Sequence, residues 1–145
     1  MTMKKDDAEI LKEVQKNTRM AIKAIETISD KVYDDKLSYE LSRENLVYST
    51  IHNKAVDALT KEHADTYHRS VVEDVMLQSG IHMNTLLNSS TSKIAELMIQ
   101  GSNRGITSMW KSMNHHKDSG EISMEIAKEL MSFEKKCMEK LKEFL

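Results

Sequence analysis

Nothing in this sequence stops a helix. Proline, which removes a backbone donor and clashes with the preceding turn, is absent from all 145 residues, and glycine occurs only four times. Leu, Ile, Met, Lys, Glu and Ala dominate what remains, and few runs carry the alternation of a strand. The fold class read from this is all-α: an antiparallel four-helix bundle forming a single domain over residues 1–145.

Period and caps divide the chain into four helical stretches. The first runs from about Asp7 to Val32, with Leu11, Val14, Thr18, Ala21, Ile25, Ile28 and Val32 as its seam and Asp6 with Glu9 as a capping pair. The second follows the turn at Tyr33-Asp34-Asp35 and reaches about Ala64. Its seam is Leu37, Leu41, Glu44, Tyr48, Ile51, Ala55 and Leu59. A third pattern opens at Ser70, with Glu73 three residues on as a capping box, and continues to about Asn114. That length is out of proportion to the others, so it either projects or breaks. The break points are Ser79-Gly80 or the run from Asn88 to Ser92. A break at the second place makes 71–87 a helical crossover, with a bundle helix starting near Ser92. The fourth stretch runs from about Ser119, with Asp118 and Glu121 as its capping pair, to Leu145. Its seam is Ile126, Leu130, Phe133, Cys137, Leu141 and Phe144.

Between Lys93 and Lys111 the polar residues Lys93, Glu96, Gln100, Arg104, Thr107 and Lys111 form one thin stripe, and nearly everything else is apolar or small. A helix with so narrow a wet face is covered on most of its circumference. Homodimerisation through Met98, Gly101, Gly105, Ile106 and Met109 is the expected cause, with Gly101→Leu costly through overpacking. Eleven methionines suit an adaptable core or partner surface.

Charge excludes other partners. The 21 basic and 23 acidic side chains are interspersed and sum to −2, so neither nucleic acid nor an anionic membrane is expected to bind. No apolar run approaches the ~20 residues of a membrane span, and the charged start is not a secretory signal. One cysteine, Cys137, permits no intramolecular disulfide and fits a reducing, cytoplasmic setting.

Chemistry is sparse. Metal-carrying bundles use Glu-x-x-His pairs, and no Glu here has His three residues later. The weak metal candidates are Glu44, on a seam, and Glu62, Asp65 and His68 near the end of the second helix. No inward carboxylate is expected on the other seams. His52 has a nearby Lys54 but lacks the glycine of a phosphorelay site. His115-His116 reads as a helix-end feature, and Cys137 as a small core hydrophobe. No phosphate loop, nucleophile elbow, dinucleotide fingerprint or paired-cysteine motif occurs. No catalytic residue and no cofactor are assigned.

The helix lengths, with Met83-Asn84-Thr85, the run from Ser92-Lys93-Ile94-Ala95-Glu96 through Gly101-Ser102, and Gly105-Ile106, resemble a group of small uncharacterised bacterial helical-bundle proteins of ferritin-like shape. The resemblance implies a bundle in a bacterial cytoplasm and transfers no catalytic residue. The expected function is non-enzymatic, through protein–protein contacts as a homodimer. The alternatives are a ferritin-like metal-binding or redox protein with atypical ligands, and an immunity-type or stress-response bundle.

Overall fold

The computed structural model describes residues 3–67, 71–86 and 88–145. Among these the chain is all-helical, with no strand. Five α-helices follow one another: α1 Lys5–Ile28, α2 Asp35–Lys61, α3 Val71–Leu86, α4 Thr91–His115 and α5 Glu121–Leu141. Short 3₁₀ turns, Ser29–Lys31 and Lys142–Phe144, extend α1 and α5. No described helix is long and apolar enough to cross a membrane.

The long third pattern therefore breaks, and at the second of its two weak points. Asn88 accepts from the backbone N–H of Ser90 at 3.1 Å, and the Ser90 hydroxyl accepts from that of Lys93 at 3.2 Å, capping α4. Gly80 stays inside α3, because one glycine costs a helix only about 1 kcal/mol. The box expected at Ser70 lies outside the described residues.

α1 holds the assembly together by touching all four other helices. Its buried Ile10, Leu11, Val14, Ile25 and Ile28 share one core with Leu37, Leu41, Ile51 and Leu59 of α2, Ile94 and Met109 of α4, and Leu130 and Leu141 of α5. Every residue of the expected α2 seam is buried, Glu44 included. α2 also packs on α5, and α4 on α5, while α3 lies mainly against α1. Tyr48 and Phe133 meet edge to face, ring centres 5.0 Å apart.

The capping pair expected at α1 gives way to another local pair, and the one expected at α5 to a tertiary bond. The backbone N–H of Lys4 donates to Asp7 at 3.1 Å, so Asp7 and not Glu9 closes the start of α1. The same buried carboxylate accepts from the Gly120 N–H at 2.6 Å and the Ser123 hydroxyl at 2.5 Å, which caps α5 from another helix. Asp6 accepts from the Asp118 N–H at 3.0 Å, and Asp118 pairs with Lys4 at 3.3 Å. Burial alone would raise the Asp7 pKa; the bonds from Ser123, Gly120 and Lys4 outweigh it and hold the group below its usual value.

Asp7→Ala strands donors at two helix starts. It should lower stability by about 2–3 kcal/mol, read as a shifted urea midpoint. An unchanged midpoint would show that Gly120 and Ser123 have other acceptors available.

Candidate functional site

The interior carries a line of polar groups among its apolar side chains. At one level, Glu40 of α2 is 3 % exposed and ion-paired with Arg43 at 2.6 Å and 3.1 Å. It also bonds to the neighbouring carboxyl of Glu44, which is 1 % exposed. Burial, then the Glu40 carboxylate, push Glu44 up to about 8. The physical picture is one proton held between two carboxyls, with Glu40 ionised against Arg43 and Glu44 neutral. Cys137 donates toward Glu44, and burial followed by that neighbour drives its thiol far up, which leaves it an inert hydrophobe.

The next level is built by four helices. Glu134 of α5, 1 % exposed, receives hydrogen bonds from Asn17 of α1 and Tyr48 of α2. Ser102 of α4 bonds in turn to Tyr48. Asn17 donates its amide to the Gly105 carbonyl at 2.8 Å, fixing α1 on α4. Burial pushes Glu134 up to about 8, against the pull of those two bonds, so it is mostly a neutral acid at neutral pH. Its Oε1 has no hydrogen-bond partner among the described residues.

This level forms the floor of a cleft of about 520 Å³ between α1, α3 and α4. Met20, Met76, Leu77, Ile81, Leu97 and Met98 supply apolar wall, and Gly80, Gly101, Ser102 and Ser108 keep it open. Glu13, Lys16, Glu73 and Arg104 bring charges of both signs to the lining. A concave, largely apolar space with a few convergent polar groups is the usual form of a small-molecule site.

The residues singled out from sequence scatter. Gly101 and Met98 line the cleft, and nothing lies within 4 Å of where a Gly101 side chain would begin. Gly105, Ile106 and Met109 are spent within the chain. The last two are buried in its core, and a methyl group on Gly105 would collide with the Glu134 carboxyl and lie 2.8 Å from Asn17 Oδ1. The overpacking cost expected at Gly101 therefore belongs to Gly105. Glu44 is a core residue, whereas Glu62 and Asp65 are exposed at the far end of α2, about 27 Å away at helical rise. His68 lies outside the described residues. No three His, Cys, Asp or Glu side chains among those described are placed to hold a metal. His52 is half-buried, its Nδ1 3.0 Å from the Thr18 hydroxyl. His115 and His116 donate to the carbonyls of Lys111 and Ser112, as helix-end features do.

Three inward carboxyls were missed: Asp7, Glu40 and Glu134. The signal for Glu134 was present, since Leu130, Glu134, Cys137 and Leu141 keep the spacing of a buried stripe. Phe133, assigned to that seam instead, is only half-buried.

Comparison with protein-family models, with curated proteins and with solved structures finds no match. Nothing in these comparisons identifies the chain as bacterial or ferritin-like.

Two outcomes follow for the floor. Gly105→Ala should cost about 1–3 kcal/mol by overpacking against Glu134 and Asn17, read by thermal melting; a wild-type Tm would place Glu134 elsewhere. The second concerns pH. Unfolded Glu44 and Glu134 release their protons near pH 4.5, whereas the folded chain keeps them to about pH 8. Stability gained from these groups at low pH is thus lost as pH rises through that window, by up to about 1.4 kcal/mol per pH unit for each retained proton. Glu13, also raised by burial, adds in the same direction. His52, lowered by burial, acts oppositely below its unfolded value of 6.5. The fall should therefore be cleanest in urea melts between pH 6.5 and 8, and shallower in Glu134→Gln. A flat wild-type profile would mean that both carboxyls are ionised in the folded protein.

Proposed function

We propose that this chain is a non-enzymatic binding module, a helical bundle that holds an apolar ligand in the cleft between α1, α3 and α4. The observation that carries this reading is the floor. Asn17, Tyr48, Ser102 and Glu134 come from four different helices and converge beneath methionine-rich walls, and of the three buried oxygens without a partner among the described residues, on Glu44, Asn45 and Glu134, the last belongs to the cleft lining. Buried polar atoms are rarely left so in structures without a use for them.

In this proposal the frame is an antiparallel four-helix bundle of ferritin-like arrangement, made by α1, α2, α4 and α5, with α3 as the crossover. The bonds from Gly120 and Ser123 to Asp7 support a common starting end for α1 and α5, and the Lys54–Glu129 pair at 2.8 Å supports α2 running against α5. The arrangement does not bring a metal reading with it, because the weak candidates from sequence are dispersed. The lone thiol of Cys137, buried and protonated, supports a reducing compartment such as the cytoplasm.

A second reading keeps the protein–protein contact and the homodimer. Val75, Met76 and Met83 of α3 are 54 %, 69 % and 78 % exposed, and Met20 of α1 is 39 % exposed. Adaptable thioether surface of this kind suits protein partners. α4 offers less to a partner than its sequence promised. Its polar stripe is solvated, its buried face is used within the chain, and Gly101 and Ser108 line the cleft, leaving the half-exposed Trp110 outward.

Nile red, a neutral apolar dye, should bind at one site per chain and brighten. Gly101→Leu, which fills the cleft from a position with open space, should abolish that binding without lowering Tm. Undiminished binding in a folded Gly101→Leu variant, or none in the wild type, would remove the cleft reading. Equilibrium sedimentation at tens of micromolar decides the second reading, for which a monomer is the adverse result.

A further inference from the structure

We propose that the cleft takes an organic monocation with an apolar body, its positive charge held over the Glu134 carboxyl at the floor; the inference rests on the cleft being a ligand site. The argument begins with what the floor offers. Asn17, Tyr48 and Ser102 are neutral and are already engaged with Glu134, with Gly105 or with one another. Glu134 alone can develop a formal charge there, and its Oε1 has no bond among the described residues.

The remaining charges do not favour an anion. Glu13 and Lys16 of α1, Glu73 of α3 and Arg104 of α4 line the cleft and balance in sign, and Lys16 lies 3.9 Å from Glu73. Of the other titratable groups near Glu134, Tyr48 of α2 is held neutral by burial, and Cys137, one turn along α5, is held as a thiol beside Glu44. Among the described residues no basic side chain is buried in the floor. An anion entering would therefore meet a carboxyl with no buried cation to offset it. A cation would meet an acid that folding has already desolvated, and has only to displace its proton. Buried charge is tolerated when it is paired. The thioethers of Met20, Met76 and Met98 add polarisable contact for the apolar body.

The exchange balances simply. The cation enters, the Glu134 O–H releases its proton to solvent, and a carboxylate–cation pair remains. Binding should therefore tighten with pH below about 8, where Glu134 still holds its proton.

Tetraphenylphosphonium, whose charge does not titrate, is the probe, and neutral triphenylphosphine oxide is the control. Both are titrated into the full chain carrying Nile red. Tetraphenylphosphonium should displace the dye with an apparent affinity that rises about fivefold to tenfold from pH 6.5 to 7.5, while the oxide shows no such slope. Glu134→Gln, which keeps the shape and removes the charge, should weaken the cation at pH 7.5 by about tenfold or more and erase the slope. Should that variant not fold, the wild type still decides. Calorimetry at pH 7 in buffers of different ionisation enthalpy should register about one proton released per cation bound. Dye displaced by the oxide but not by the cation, or cation binding with no proton release, overturns the monocation while leaving the cleft as a site. Failure of Nile red itself to bind would instead count against the cleft.

Discussion

The polar residues of α1 join this molecule together. A helix that touches four others has little dry surface to spare for unpaired groups, and α1 resolves this by sending each inward polar side chain to a different element. Asp7 caps α5, and Asn17 holds the Gly105 carbonyl of α4. Gln15 makes two bonds to the Tyr67 backbone beyond α2, at 2.8 and 3.2 Å. Thr18 meets His52 of α2, and Arg19 pairs with Asp74 of α3 at 3.1 Å. Apolar burial along Ile10, Leu11 and Val14 supplies the non-directional part of the packing. The polar bonds set register, because each has a fixed length and direction.

Gly105 is where that wiring becomes a site. Without a side chain on α4 at this position, the Glu134 carboxyl occupies the space a methyl group would take, within reach of both Asn17 and Tyr48. The result is a carboxyl drawn into the core and kept neutral by burial. The open glycine at 101, one turn earlier, leaves room above it for the cleft. Two glycines on one helix thus do opposite work: one admits the protein's own acid, and the other leaves the way open toward it.

Much of this frame was legible beforehand. Leu37, Leu41, Glu44, Tyr48, Ile51, Ala55 and Leu59 were read as one stripe and are all buried, because helical period is a local property. The weak stretch near Asn88 was legible for the same reason, since Asn and Ser compete with the helix through their own side chains. The floor of the site was not. Glu134 follows Phe133, and a hydrophobic rule assigns the seam to the phenylalanine, whereas the packing buries the carboxyl more deeply. Asp7 marks only the approximate start of the first helix in the sequence, yet its bonds reach Gly120 and Ser123, more than a hundred residues away.

The sequence by itself therefore determined the helical class and most of the apolar stripes, and narrowed any division of the long third pattern to two weak points, between which the structure chose. Each of these follows from backbone propensity and spacing within a turn or two. The tertiary structure alone decided which glycine is crowded and which is open, which acids are neutral, and where a cleft remains. Those outcomes depend on side chains from several helices meeting at one point, and on the solvent that their meeting excludes. No local pattern encodes either quantity, because burial and hydrogen-bond satisfaction are properties of the neighbours, not of the residue.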